Sequence, residues 1–135
     1  MQSNLDALFK TSKELEKSGR WYEINDRTSF LVKRYGGSNS KKLEESFAKH
    51  YRPYAAIIER NGLPEEKTNE ILATIFVESC LIDWKGIDID GKKDVPYNQE
   101  LAIKLFQLLP DLLKTLMEYA QQPGYYKEEL EQAGN

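Results

Sequence analysis

The sequence has one cysteine, Cys80, and one histidine, His50. By count alone, a disulfide within the chain, a histidine-paired zinc site and a Cys-Cys metal cluster are all excluded. Neither sign of charge is in excess. A net charge of −3 gives no electrostatic basis for holding duplex nucleic acid, which takes clustered Lys and Arg to neutralise phosphates. Lys33-Arg34 and Lys41-Lys42 are compact, have acidic neighbours and read as solvated surface. No apolar run approaches the length of a bilayer span, so no membrane partner is expected. The opening MQSNLDALFKTSKEL lacks the basic-then-apolar order of a secretory signal, which makes the cytoplasm the expected compartment. The nucleophile elbow, the phosphate loop and the dinucleotide fingerprint are absent, so neither an enzyme nor a bound cofactor is expected. Asp88-Ile89-Asp90-Gly91 falls short of a calcium loop. With Gly91 in sixth place, the ligand positions one and twelve are Gly86 and Tyr97, and the stretch reads as a plain turn without metal.

What remains is 135 residues, 40% hydrophobic and 30% charged, enough to bury one core. The reading is a single domain over 1–135, mainly α (α+β), with four to five helices and a small N-terminal β-hairpin. The chain is organised around residues 70–121. At 100° per residue Leu101, Ala102, Leu105, Phe106, Leu108 and Leu109 share a face, and Leu112, Leu113, Leu116, Met117, Tyr119 and Ala120 repeat the pattern eleven residues later. Pro110 lies between them. It ends one helix at Leu109 and starts another, or else kinks a continuous one, since eleven residues are close to three turns.

From the N-terminus, Ser3 and Asp6 resemble a capping box, and Leu5, Leu8 and Phe9 form a short apolar face on a weak helix closed by Gly19. RWYEINDRTSFLVKRY is dense in aromatic and β-branched residues around Asn25-Asp26, which predicts a hairpin over about 20–35. Its inward face is expected to carry Trp21, Ile24, Phe30 and Val32. From Ser40, the stripe Leu43, Phe47, Tyr51, Tyr54 and Ile58 predicts an amphipathic helix, kinked or broken at Pro53 and stopped by Asn61-Gly62. Pro64-Glu65-Glu66 opens the next helix. Ile71, Leu72, Ile75, Phe76 and Ile82 share its face. The helix is expected to run to Asp83, where a charge on the apolar face ends it and the carboxylate takes up amides of the following turn. Asp90-Gly91 suits a second small hairpin, and Asn98 caps the next helix. The helical core thus spans about 40–122, and 123–135 reads as a frayed tail.

Cys80 lies in the most apolar helix and reads as a buried thiol rather than a nucleophile served by His50. The pairs Glu44-Glu45 and Glu65-Glu66 read as solvated surface rather than acid-base machinery. Two readings stand for Trp84: a core residue plugging the joint between helices, or an anchor for a partner. Tyr97 is a candidate of the same kind. With eight tyrosines in the chain, Tyr125 and Tyr126 join them as candidate partner-binding or structural anchors.

The order LIDWKGIDIDGKKDVPYNQELAIKLFQLLPDLLKTLMEYAQQ resembles the tail assembly chaperones of long-tailed, non-contractile bacteriophages. The likeness is carried by Asp83-Trp84 with Gly86, by Val95-Pro96-Tyr97-Asn98, by the helix Leu101 to Leu109 and by Pro110-Asp111. Upstream, FKTSKELEKSGRWYEI, the strand ending in Lys33-Arg34 and the Arg52-Pro53 step are similar to that family too. The match is one of order and spacing along nearly the whole chain. The resemblance implies a non-enzymatic late protein of the host cytoplasm, absent from the mature virion, which binds the tape measure protein and helps recruit tail tube protein. The tube contact is made in many such phages by a longer, frameshifted form, of which this chain would be the short counterpart. A homo-oligomer is expected. The rival from another class is a structural tail or head-tail connector protein retained in the virion.

Overall fold

The structure is a computed structural model that describes residues 1–128. It is mainly helical, with a small antiparallel sheet, the class the sequence predicts. Two short helices, α1 (Asp6–Phe9) and α2 (Lys13–Ser18), precede strands β1 (Arg20–Glu23) and β2 (Ser29–Val32). Then come α3 (Ser40–His50), α4 (Ala55–Glu59), α5 (Glu65–Ser79), β3 (Leu81–Lys85), α6 (Gln99–Leu108) and α7 (Pro110–Gln121).

Local signals set most boundaries. The Ser12 hydroxyl accepts from the Leu15 amide at 3.2 Å to start α2, and Gly19, at φ +91°, closes it. Asn98 caps α6 by accepting from the Leu101 amide at 2.8 Å. Both prolines break rather than kink. α3 stops at His50 ahead of a 3-10 turn, Arg52–Tyr54, and α6 stops at Leu108 before Pro110 opens α7 in the first turn, where its missing amide is harmless. The small second hairpin is present, with Ile89 and Lys92 exchanging both backbone hydrogen bonds across Asp90-Gly91, each at positive φ.

Three expectations are corrected. Leu81–Lys85 is a strand, not the end of α5. It pairs antiparallel with β2, Phe30 opposite Trp84, so the sheet has the order β1-β2-β3. Asp83 meets its charge problem by pointing to solvent, and its carboxylate accepts from the Trp84 amide at 2.8 Å. Second, the hairpin turns Tyr22 inward with Phe30 and Val32, while Trp21 and Ile24 are exposed. Tyr22 and Phe30 are cross-strand partners and therefore share a face, and Trp21, one residue earlier, must take the other. There the Lys85 ammonium lies 4.1 Å from the Trp21 ring centroid. Third, the tail is not frayed from 123. Pro123–Tyr126 forms a 3-10 turn, and Tyr126 is fully buried. The rest of the expected tail, 129–135, lies outside the described residues.

The core forms where the sheet's inner face meets α5, α6 and α7. Phe30, Phe76 and Phe106 meet at ring separations of 5.9–6.2 Å, with Val77, Leu113, Leu116 and Ala120 around them. A polar knot ties the N-terminal segment to it. Glu16 is buried, paired with Arg34, and accepts from the Ser38 amide at 3.1 Å. The Asn39 amide donates to the carbonyls of Arg34 and Ser79 at 3.0 and 2.9 Å, joining the end of β2 to the end of α5.

Candidate functional site

The four aromatic candidates fall into two groups. Trp84 is 4% exposed. Its indole nitrogen donates to the Val95 carbonyl at 2.7 Å, and its ring meets Phe30 and Tyr97 edge-on. Tyr97 is half-buried and donates its hydroxyl to the Leu81 carbonyl at 3.3 Å. Both side chains thus pin the 86–97 loop to β3. Tyr126 is buried beside Tyr22. Tyr125, 38% exposed, packs edge-on against Tyr22 and Tyr119. The two groups serve the fold's two ends, and of the four only Tyr125 offers substantial surface to a partner.

Cys80 is buried among Asn39, Ser79 and the Arg34 carbonyl, and burial pushes its thiol up to about 11. His50 instead bonds Glu78, at 2.9 Å, so no base stands on the thiol. Among the described residues no three His, Cys, Asp or Glu side chains gather as a metal site. Asp88 and Asp94 are both engaged by Arg27, the guanidinium forming paired bonds of 2.9 and 2.7 Å to Asp88 and one of 2.8 Å to Asp94.

The apolar surface lies elsewhere. Leu108 and Leu109 belong to the face that buries Ala102 and Phe106, yet they are 78% and 49% exposed. The physical reason is the proline. Leu109 leaves helical geometry at φ −127°, ψ 69°, so the phase that would have carried it inward is lost, while Leu108, still in α6, lies at the edge of the stripe, about 120° round from Ala102, and turns outward. Beside this elbow lies a groove of about 340 Å³. Leu105, Leu109 and Leu112 form one wall, Ile24 at the hairpin tip forms the other, and Phe30 and Ile87 lie beneath.

The hairpin tip is positioned by side-chain chemistry. Asn25 accepts from the amides of Arg27 and Thr28, both at 2.9 Å, closing the turn. The Thr28 hydroxyl donates to the Gly86 carbonyl at 2.9 Å, and Arg27 reaches Asp88 across the same gap. Gly86, at φ +70°, lets the two backbones touch, since a Cβ there would stand 2.1 Å from the Arg27 carbonyl oxygen. The groove went unread in the sequence because its walls come from segments some 80 residues apart; the available signal was Pro110, which detaches Leu109 from its face.

Residues 38–135, from the start of α3 onward, match the family of the YdaY prophage protein. No curated protein and no solved structure matches the chain. The match takes in every helix of ten or more residues among those described, together with β3, and leaves α1, α2, β1 and β2 outside it. Because it spans well over half of the sequence, the chain belongs to the YdaY prophage protein family and is of phage origin.

Proposed function

We propose that this chain is a tail assembly chaperone of a long-tailed phage, one that binds the tape measure protein and helps bring tail tube subunits to it, without catalysis. The observation that carries the reading is the uncovered apolar groove at the α6–α7 elbow, with Leu109 exposed in its wall. Such a groove suits the apolar face of an amphipathic helix, read as anchors at i, i+3, i+4 spacing. The order of elements that resembles the chaperone family and the phage origin both support the same reading.

Tape measure proteins are long and largely helical, so before tube subunits arrive their apolar stripes are open to aggregation. A chaperone with no energy source works by mass action, covering that stripe until polymerising tube protein displaces it. Several weakly held copies along one strand serve this better than one tight complex, because avidity assembles the coat while each unit stays displaceable.

The test is co-expression of the tape measure protein with the wild-type chain, with Leu109→Lys, and alone. Rescue of tape measure solubility and co-purification by the wild type, with both lost in Leu109→Lys, is expected. A tape measure protein equally soluble alone that never co-purifies overturns the reading. Finding the chain by mass spectrometry in purified particles then favours a structural tail or connector protein.

A further inference from the structure

α5 is buried on two opposite sides. Ala73, Phe76, Val77 and Cys80 face the core. Ile71 and Ile75 are buried as well, at 5% and 0% exposure, yet they lie about 180° and 140° round the helix from Cys80. That far side is where α3 packs. Glu78, one turn on from Ile75 and on the same side, accepts at one carboxylate oxygen from the Ser46 hydroxyl at 3.2 Å, and the same oxygen bonds the His50 ring at 2.9 Å.

We infer that α3 and α4 form a flap on α5 that opens while the rest of the fold stays closed, uncovering a second apolar face at Ile71 and Ile75. The flap is shallowly seated. Ser46 is the one buried residue of α3, α4 has none, and none of residues 51–64 is buried. The stripe Leu43, Phe47, Tyr51, Tyr54 and Ile58 is half-buried, and none of it belongs to the core around Phe76. The two ends of the flap differ. At its start it is pinned, since the Asn39 amide holds the carbonyls of Arg34 and Ser79. At its far end Asn61, at φ 55°, and Gly62 are exposed and lead through Pro64 into α5. Asn39 is therefore the pivot, residues 61–64 are the slack, and Glu78 is the clasp between them. A lifted flap does not stay helical, because α3 has 11 residues and α4 has 5, below the roughly 12–15 that a lone helix needs in water. α5 keeps its packing on the core, so the opening is a local event that lies below global unfolding. The face it uncovers shares no residue with the elbow groove and opens whatever that groove binds.

Native-state hydrogen exchange of the full chain, resolved by residue along a urea series below the unfolding transition, tests the flap. Amides of α3 and α4 are expected to exchange faster than those of α5, α6 and α7, at rates that barely change with urea, because the opening exposes little surface. Two variants separate local from global opening. Glu78→Ala removes the clasp and is expected to speed exchange in α3 about tenfold or more, with Ser46→Ala as the milder form. Tyr126→Phe weakens the core on the other side of α5, and is expected to speed exchange in α6 and α7 while leaving α3 and α4 as they were. Ile75→Cys then reports the uncovered face, with Cys80 as the control in the same chain: a thiol reagent is expected to label position 75 through flap opening and Cys80 only through global unfolding. The inference is overturned if α3 exchanges with the same urea dependence as α6 and α7, if Tyr126→Phe speeds all the helices alike, if Glu78→Ala leaves α3 unchanged, or if both thiols are labelled at one rate.

Discussion

The Tyr126 hydroxyl donates to the Val32 carbonyl at 3.1 Å across 94 positions of chain, fastening the C-terminal turn to the central strand of the sheet. Tyr126→Phe keeps the packing and removes the donor. A buried acceptor left without its partner costs about 1–3 kcal/mol. Tyr126→Ala also empties the site, and large aromatic truncations cost about 3–5 kcal/mol. Urea denaturation of the two variants is expected to give that order. Equal, near-zero losses would show that the turn is not part of the cooperative unit.

Glu16 makes stability acid-sensitive. Burial works against its ionisation, but hydrogen bonds from Ser38, Arg34, the Ser38 amide and Thr11 outweigh it and hold the carboxyl down at about 2. Because the folded value lies below the unfolded one, the stabilisation is complete above about pH 5 and drains away as pH falls toward 2. Denaturation midpoints between pH 7 and 2.5 should fall steeply for the wild type and more gently for Glu16→Gln, which starts lower.

Features fixed within a few residues were legible in the sequence: the Asn98 cap, the Asp90-Gly91 turn, the closure at Gly19 and the interruption at Pro110. What escaped depends on distant partners. Leu81–Lys85 continues the apolar phase of α5, and only pairing with β2, some fifty residues upstream, makes it a strand. The hairpin alternates in both directions, and the choice of Tyr22 over Trp21 as the inward residue follows from Tyr119, Tyr125 and Tyr126, about a hundred residues away. Burial of Glu16 is equally unreadable without Arg34 and Ser38. The candidate site was hidden for the same reason, since Ile24 and Leu109 become neighbours only after the hairpin tip has docked on Gly86.

At the alkaline end the tyrosines carry the dependence. Burial raises Tyr22, Tyr35 and Tyr97 to about 12 and drives Tyr126 higher still. These folded values lie above the unfolded value near 10. The protonated rings therefore add stability that is complete below about pH 10 and is lost as pH rises through 12. Ultraviolet titration is expected to show a late ionisation step from these four tyrosines that coincides with loss of helical circular dichroism. Ionisation of all eight in one step near pH 10 would contradict this.

Trp84 separates packing from hydrogen bonding. Trp84→Phe retains much of the contact with Phe30 and Tyr97 but leaves the Val95 carbonyl without the indole donor, for an expected loss of about 1–3 kcal/mol. Trp84→Ala should lose about 3–5 kcal/mol. A Trp84→Ala protein that melts like the parent but fails to hold its partner would make the residue an interface anchor instead.

Two of the contacts that hold the hairpin tip on the 86–97 loop differ in kind. The Arg27–Asp88 pair is bidentate but about half exposed on both sides. Exposed pairs are screened by solvent and salt, so Asp88→Asn should shift the melting temperature little, and less still at high salt. Gly86 is a matter of space. An alanine there must carry a Cβ into the Arg27 carbonyl while holding φ near +70°, and no exposed side chain can move aside to relieve a clash with backbone. Gly86→Ala is expected to lose about 3 kcal/mol or more. Thermal melts of the two variants at low and high salt decide between steric docking and charge. If Asp88→Asn proves as damaging as Gly86→Ala, the tip is held by its ion pair rather than by backbone contact, and the groove wall formed by Ile24 would loosen with salt.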